Sequence, residues 1–415
     1  MMKRTKRFRI NPTEELKRLC RVSNDLYNQS IYHWRQRYEQ DGEYLKFYDL
    51  RDEMRDVPNL EGEKNFRLMK SHAAEFTVKQ AWSDIDNFYK AMKKWKAHPE
   101  LFKAKPEFPR YHKRGGMTEL YLDTAVFAIK DGQVVYDKTK GYGIPIPQYD
   151  YWQERFKKAK MVRFLPRQGK WVMEVVYEIE PKPADVTENR VAAIDLGVDN
   201  LATMVTPEGC IIYSGKPLKA YNQFFNKQLA KARSILALQN PDTKRLSSKR
   251  IRNLYDKRDR YIDTYMHTVS KRIVDELTRQ GVGLLVVGRN KGWKQEADMS
   301  KIQNQKFVQI PYFKLQGQLQ YKCETVGIRY AEQEEGHTSK CDALALEPIE
   351  HHEKYLGTRK TRGLFKSSTG TVINADQNGA LNILRKHIGD DQYLRLTADW
   401  HLKSAPRVEH VFCKS

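Results

Sequence analysis

The stretch VAAIDLGVDNLATMVTPEG, residues 191–209, limits what this chain can fold into more than any other. Residues 191–194 read as an apolar strand ending in Asp195, followed by a tight turn at Gly197. A second strand runs through Leu201, Thr203 and Val205 to a hairpin signal at residues 207–209. A buried strand rarely carries a carboxylate unless that carboxylate is paired or holds a cation. A turn or N-cap aspartate is the plainer reading of Asp195. A second carboxylate favours the cation: in NADQNGALNILRK, Asp376 opens a helix whose Ala380, Ile383 and Leu384 recur at helical spacing. One carboxylate at a strand end and one at a helix start can meet in space and hold a divalent metal.

At 415 residues the chain has room for two or three domains. With 74 Lys plus Arg against 52 Asp plus Glu, the formal charge is +22. Solubility does not need that excess, and nucleic acid is the polyanion that most simply explains it. Mean hydropathy is −0.76 and no apolar run approaches the ~20 residues of a membrane span. The basic start MMKRTKRFRI lacks the apolar core of a secretion signal, so a cytoplasmic protein of a bacterium, an archaeon or a phage is expected. Cys20, Cys210, Cys323, Cys341 and Cys413 form no CxxC pair, which supports neither a disulfide framework nor a zinc ribbon.

Residues 3–10 read as a basic strand, and helical patterns follow to about residue 97. In the clearest of these, Val78, Trp82, Ile85, Tyr89 and Met92 form one stripe, read as core rather than as a platform for bases. Alternating, β-branched pieces then predict a small β domain to about 185, completed by the N-terminal strand. Two helical stretches at 219–240 and 245–280 carry the charge: residues 216–280 hold sixteen Lys or Arg against six Asp or Glu, with Tyr221, Phe224, Phe225, Tyr255, Tyr261 and Tyr265 interleaved. Backbone contact with nucleic acid is the expectation for this pair, a solvated face the alternative. GLLVVG, 283–288, reads as a strand buried on both faces. A helix at about 310–326 and the strand GIRYAEQEE complete an α/β sheet of the ribonuclease H type. Residues 337–372 show no periodicity and read as a loop-rich insert, and the tail beyond 390 is uninformative.

Nucleases on such a sheet use carboxylates because Mg²⁺ and Mn²⁺ prefer oxygen ligands, and two ions about 4 Å apart can activate water and steady the leaving oxygen. Two aspartates are too few. The place for a third carboxylate is the end of the buried strand, but Gly288 stands there, followed by Arg289, Asn290 and Lys291.

IDLGVDNLAT, the basic helical pair and NADQNGALNILRK resemble the first and third segments of the RuvC-like nuclease domain of TnpB. TnpB is the insertion-sequence-encoded, RNA-guided nuclease related to type V CRISPR effectors. The resemblance extends over roughly residues 1–390. It implies a first wedge strand at 1–10, a helical recognition domain at 11–103 and an oligonucleotide-binding-like wedge β-barrel containing PEFPRY at 104–187. It further implies a ribonuclease H-like RuvC domain at 188–336 with the basic insertion at 216–280. A degenerate zinc-ribbon-like insert at 337–372, the last RuvC segment at 373–390 and a tail at 391–415 follow. Asp195 and Asp376 are the metal ligands that the resemblance implies, with two Mg²⁺ or Mn²⁺ ions, a guide RNA and double-stranded target DNA as partners, and a monomer per guide RNA.

Two features depart from the family. Gly288 replaces its usual glutamate, and Cys341 alone stands where a four-cysteine ribbon is usual, with Ser367 and Ser368 in cysteine positions. No zinc is expected. The chain is similar to the branch with GRNKGWKQ in the second segment, where a glutamate of the neighbouring strand can supply the missing ligand. Parallel strands lie ~4.8 Å apart, so Glu335 or Glu334 can reach nearly the same point. Alternation forbids both from pointing inward, and Glu335, nearer the strand end, is favoured. Surface glutamates beside a dead site are the alternative. Arg359 and Arg362 are candidates to grip the scissile phosphate, and Trp293 and Lys294 to touch nucleic acid.

The leading expectation is an RNA-guided DNA endonuclease of a mobile element, cutting next to a short flanking motif. The rivals are a nuclease-dead RNA-guided DNA-binding repressor and a RuvC-type DNA nuclease without guide RNA.

Overall fold

The structure, a computed structural model, describes residues 1–137, 141–167, 170–239, 247–289, 310–361, 363–402 and 405–411. The chain divides into two units, Met1–Glu180 and Pro181–Ser415.

In the first unit, β1 (Met2–Ile10) pairs antiparallel with β7 (Lys170–Ile179), so the N-terminal strand completes the β region as expected. With β6 (Ala159–Arg167) and β2 (Leu120–Asp123) the sheet order is β1-β7-β6-β2. A separate meander joins β3 (Ala128–Lys130), β4 (Gln133–Asp137) and β5 (Tyr142–Pro145). Where the resemblance implies an oligonucleotide-binding-like wedge β-barrel, the described residues form a four-stranded sheet and a separate three-stranded one. Helices α1 (Glu14–Asp41), α2 (Phe47–Met54) and α3 (Ser71–Ala97) intervene between β1 and β2, and α4 (Tyr149–Phe156) lies before β6. Thr13 caps α1 by accepting from Leu16 N at 3.1 Å, and Gly42 ends it with φ 68°. The α3 stripe is core: Val78 and Ile85 are fully buried, with Trp82 and Tyr89 packed against them.

The second unit is built on a six-stranded sheet of order β12-β11-β8-β9-β10-β16. At its centre β8 (Thr187–Leu196) pairs antiparallel with β9 (Asn200–Thr206), which turns into β10 (Gly209–Ser214). On the other side β8 pairs in parallel with β11 (Val282–Arg289), and β11 with β12 (Arg329–Glu334). Helices α5 (Lys216–Gln239) and α6 (Lys249–Arg279) separate β10 from β11, and α7 (Tyr312–Val326) precedes β12. One core sets Ala192, Ile194 and Val287 against residues of α6 and α7. The other sets Val191, Ala193 and Val286 against α8 (Ala375–Ile388). Helices on both faces explain why β11 is apolar without alternation.

Two regions that the sequence left blank are structured. The tail forms α9 (Asp390–Thr397) and β16 (Arg407–Glu409), which adds in parallel to β10. The insert forms a small antiparallel sheet, β13 (Thr358–Thr361), β14 (Leu364–Lys366) and β15 (Val372–Asn374). Its strands are too short and too exposed to show a period. What ties the insert together is Asp342, fully buried. Its Oδ2 accepts from Ser367 Oγ at 2.8 Å, Ser368 N at 2.7 Å and Ser368 Oγ at 3.1 Å, and its Oδ1 from Leu344 N at 3.2 Å and Ala345 N at 3.3 Å. One carboxylate thus joins the residue-342 turn to Ser367 and Ser368.

Asp342→Ala strands these donors and should cost about 3 kcal/mol. Limited proteolysis should then cut faster within residues 337–372, whereas a chelator should leave the native cutting rate in that segment unchanged.

Candidate functional site

Along β8, Val191 and Ala193 face the core under α8 while Ala192 and Ile194 face the other core. The two-residue period therefore turns Asp195 toward α8. The β8–β11 register, Ile194 opposite Val287, sets Gly288 level with Asp195, and the burial of Leu284 and Val286 on the α8 side gives Gly288 the same face. Two glycines leave room here. A Cβ on Gly379 of α8 would stand 2.6 Å from Asp195 Oδ2. A Cβ on Gly288 would fall on Glu335 Oε1 and 2.7 Å from Ile383 Cδ1. The volume of the absent residue-288 side chain is filled by the Glu335 carboxylate.

Glu335 is the first residue beyond β12 and shares the parity of Ala331, which packs on the α8 side. Its Oε1 is buried, with no hydrogen-bond partner among the described residues. Burial pushes its pKa up to about 7, with the neighbouring Glu334 charge adding to the effect. Asp195 is driven well above the ordinary carboxylate range by burial first, then by Glu335 and Asp376. A buried acceptor-only oxygen among mutually repelling carboxylates matches an oxygen-seeking cation in its donor set.

The other glutamates point elsewhere. Glu334 is exposed, with Oε2 2.5 Å from Lys386 Nζ and Oε1 accepting from Gly336 N at 2.6 Å, and the Lys386 ammonium holds its pKa below the usual value. Glu332 pairs with Arg289 at 2.5 Å.

Asp376 lies in the first turn of α8, where Asn374 Oδ1 accepts from Asp376 N at 2.9 Å and Gln377 N at 3.3 Å. Its carboxylate accepts from Asn200 Nδ2 at 2.8 Å and pairs with Arg359 at 3.4 Å. Arg359, on β13, is thus beside the carboxylates, with 48% of its side chain exposed. Arg362, Trp293 and Lys294 lie outside the described residues. Among the described residues, no three acidic, histidine or cysteine side chains close into one group able to hold an ion as they stand. The carboxylates act on one another electrostatically, with Asp376 held by Asn200 and Arg359.

Sequence reasoning missed three supporting side chains. Asn200 reaches Asp376, Gln316 Nε2 donates to Gly288 O at 3.2 Å, and Tyr312 hydroxyl donates to Gly197 O at 3.1 Å. Asn200 had a signal, since it starts the strand opposite the Asp195 end of β8. The α7 residues had none.

On α5 and α6 the aromatics mostly pack internally: Phe225 and Tyr265 are buried and Tyr221 stacks on Tyr261 at 4.0 Å, while Phe224 is exposed. Lys227, Lys231, Arg233, Arg250, Arg252 and Lys257 face solvent.

Two outcomes follow from the crowding. Gly→Ala inside a helix ordinarily stabilises by about 1 kcal/mol. Gly379→Ala should instead destabilise by about 1–3 kcal/mol in urea unfolding, because its methyl group displaces Asp195. The raised pKa values mean that, between the unfolded carboxyl value near 4 and about 7, the folded chain binds more protons than the unfolded one. Without divalent cation, stability should therefore fall as pH rises from about 5 to about 7, and Asp195→Asn should flatten that slope.

Residues 174–294 match the OrfB_IS605 family model, described as a probable transposase, and residues 312–383 match the Cas12f1-like TNB domain. The TnpB-like protein ORF457 of Acidianus two-tailed virus is 26% identical over 267 residues, which cover 62% of this chain and 52% of that protein. The CRISPR-associated endodeoxyribonuclease Cas12f1 of Sulfoacidibacillus thermotolerans is 27% identical over 228 residues, 52% of this chain and 50% of that protein. The chain spans about half the length of these curated relatives. In fold it is similar to the protein of a Cas12f1–sgRNA–target DNA complex, with TM-score 0.54 and 15% identity over 89% of this chain and 82% of that one. It is also similar to the mini-RNA-guided endonuclease CRISPR-Cas_phi3, with TM-score 0.51 and 11% identity over 94% of this chain and 93% of that one. By these matches the chain is similar to the TnpB-like protein ORF457 and to Cas12f1, the likeness in sequence lying in the regions that the OrfB_IS605 and Cas12f1-like TNB models match.

Proposed function

We propose that this protein is an RNA-guided DNA endonuclease whose ribonuclease H-like, RuvC-type site is formed by Asp195, Glu335 and Asp376. The observation that carries the reading is the Glu335 carboxylate standing over Gly288, on the face of the sheet that bears Asp195. A glutamate from the next strand then does what a residue-288 glutamate would do. Two Mg²⁺ or Mn²⁺ ions would supply the activation of water and the neutralisation of the leaving oxygen. Asp195 and Glu335 supply buried oxygens whose repulsion a cation relieves, so binding also discharges their raised proton affinity. Asp376 is ready to bind once Arg359 lets go, and the freed guanidinium is then well placed to hold a phosphate oxygen. The solvent-facing lysines and arginines of α5 and α6 give a sequence-independent hold on a nucleic-acid backbone. Guide RNA and target DNA as partners are inferred from relatives and fold neighbours described as a TnpB-like protein, an endodeoxyribonuclease and a complex with sgRNA and target DNA.

A second reading has one observation in its favour. Because no three ligands are closed into a single group among the described residues, the chain could grip DNA through its guide without cutting it.

The test is cleavage of matched target DNA by protein purified with RNA from its own locus, in Mg²⁺. Asp195→Ala and Asp376→Ala should each lower the cutting rate at least about 10²-fold, the scale on which one charge-stabilising group acts, while RNA binding stays intact. Cutting that survives Asp195→Ala would remove the assigned site. Tight target binding with no nicking by the native protein would select the second reading.

A further inference from the structure

We infer that Asn382, supported by Asn378, is a positioning residue that fixes Glu335 relative to Asp376. This rests on the proposed metal-dependent site and adds to it the device that makes a displaced glutamate usable.

The difficulty lies in where Glu335 sits. A ligand inside β11 has its backbone set by ladder hydrogen bonds on both sides, but Glu335 follows the last residue of β12, an edge strand, and has no ladder among the described residues. Its carbonyl accepts from Thr338 N at 3.1 Å and Thr338 Oγ1 at 2.8 Å, which closes a turn. A surface turn alone would leave the carboxylate free to swing. This turn is clamped onto α8. Asn382 Nδ2 donates to Thr338 O at 2.9 Å and to Cys341 O at 2.7 Å, and Asn378 Nδ2 donates to Cys341 O at 2.8 Å. Asn378 Oδ1 accepts from Ala343 N at 3.0 Å. Asn382 Oδ1 accepts from Arg385 at 2.7 Å, which dictates that the NH₂ side of the amide faces the carbonyls. Both asparagines are fully buried. On the other flank of Glu335, Lys386 ties the Glu334 carboxylate and donates to Gly336 O at 3.3 Å.

Positions 378, 382 and 386 lie one turn apart, so a single stripe of α8 holds the turn from both sides of Glu335. Asp376 opens the same helix, and Gly379, one turn on, makes room for Asp195. The clamp therefore places two of the three carboxylates on one rigid body. A packing role alone would account for the burial of the asparagines, but not for the spending of both Asn382 amide hydrogens on the turn that carries Glu335.

Asn382→Asp separates the two roles. It keeps the shape and the Arg385 contact, and it sets an oxygen against two carbonyls that had received N–H bonds. Manganese binding by the full chain with its RNA, followed by electron paramagnetic resonance, should weaken roughly 10–100-fold, the usual cost of losing a group that orients a ligand. RNA binding should stay within about twofold. In the exchange background Gly288→Glu/Glu335→Gly, which returns the glutamate to the ladder, Asn382→Asp should change manganese affinity by no more than about twofold. Equal weakening in both backgrounds, or none in the native one, overturns the positioning role. Should either protein fail to fold, Thr338→Val, which removes only the hydroxyl donor to Glu335 O, decides: a loss of manganese affinity of several-fold supports the clamp and unchanged affinity overturns it. Failure of the native protein to bind manganese at all would instead sink the proposed site.

Discussion

The burial of carboxylates close to one another is the constraint around which the second unit is arranged. Asp195 and Glu335 are both pushed toward their neutral forms, chiefly by burial, and Asp195 also feels the Glu335 and Asp376 charges. A chain under no functional demand would relieve this by substituting one carboxylate or turning it to water. Here every neighbour opposes relief. The sheet fixes Asp195, the residue-336 to residue-341 turn fixes Glu335, and Asn374 fixes the start of the helix that bears Asp376. An oxygen-seeking cation is the partner that would turn the cost of burying these carboxylates into binding energy.

The helix α8 connects these parts. Its Gly379 and Ile383 lie against the sheet at Asp195 and Gly288, and its Asn378, Asn382 and Arg385 hold the backbone of the insert. Arg385 is almost fully buried, bonded to Asp390 at 2.8 Å and to Glu347 O at 3.2 Å, so α9 and the insert both hang on it. Asp342 holds the insert together with hydrogen bonds, and the insert in turn brings Arg359 against Asp376. The insert is consequently part of the scaffold of the proposed site and not an appendage.

Much of this was legible in the sequence, and the division is physical. The α8 start at Asp376 was readable because apolar residues recur at helical spacing after it, and β8 because a strand buried on both faces reads as an unbroken apolar run, here ending in Asp195. The double-sided burial of β11 was readable because its hydrophobic run does not alternate. The choice between Glu335 and Glu334 was only half readable: alternation excluded both together, but the side each takes depends on Lys386, fifty residues on, which holds Glu334 at the surface. The β13–β15 sheet, α9 and β16 were invisible. Their strands have three or four residues and exposed faces, so their order comes from buried polar groups such as Asp342 and Arg385 that leave no periodic trace. Alternation predicted the small β domain of the first unit but not the division of its strands into two sheets, because it marks which residues face inward and not which strands pair.

Crystals of the full chain with its RNA, grown in Mn²⁺ and measured at the manganese absorption edge, would test the central claim most directly. The account predicts anomalous peaks within roughly 2.0–2.4 Å of carboxylate oxygens from Asp195, Glu335 and Asp376 together, with Glu334 still on Lys386. Manganese bound without Glu335, or held by Glu334 in its place, would contradict it.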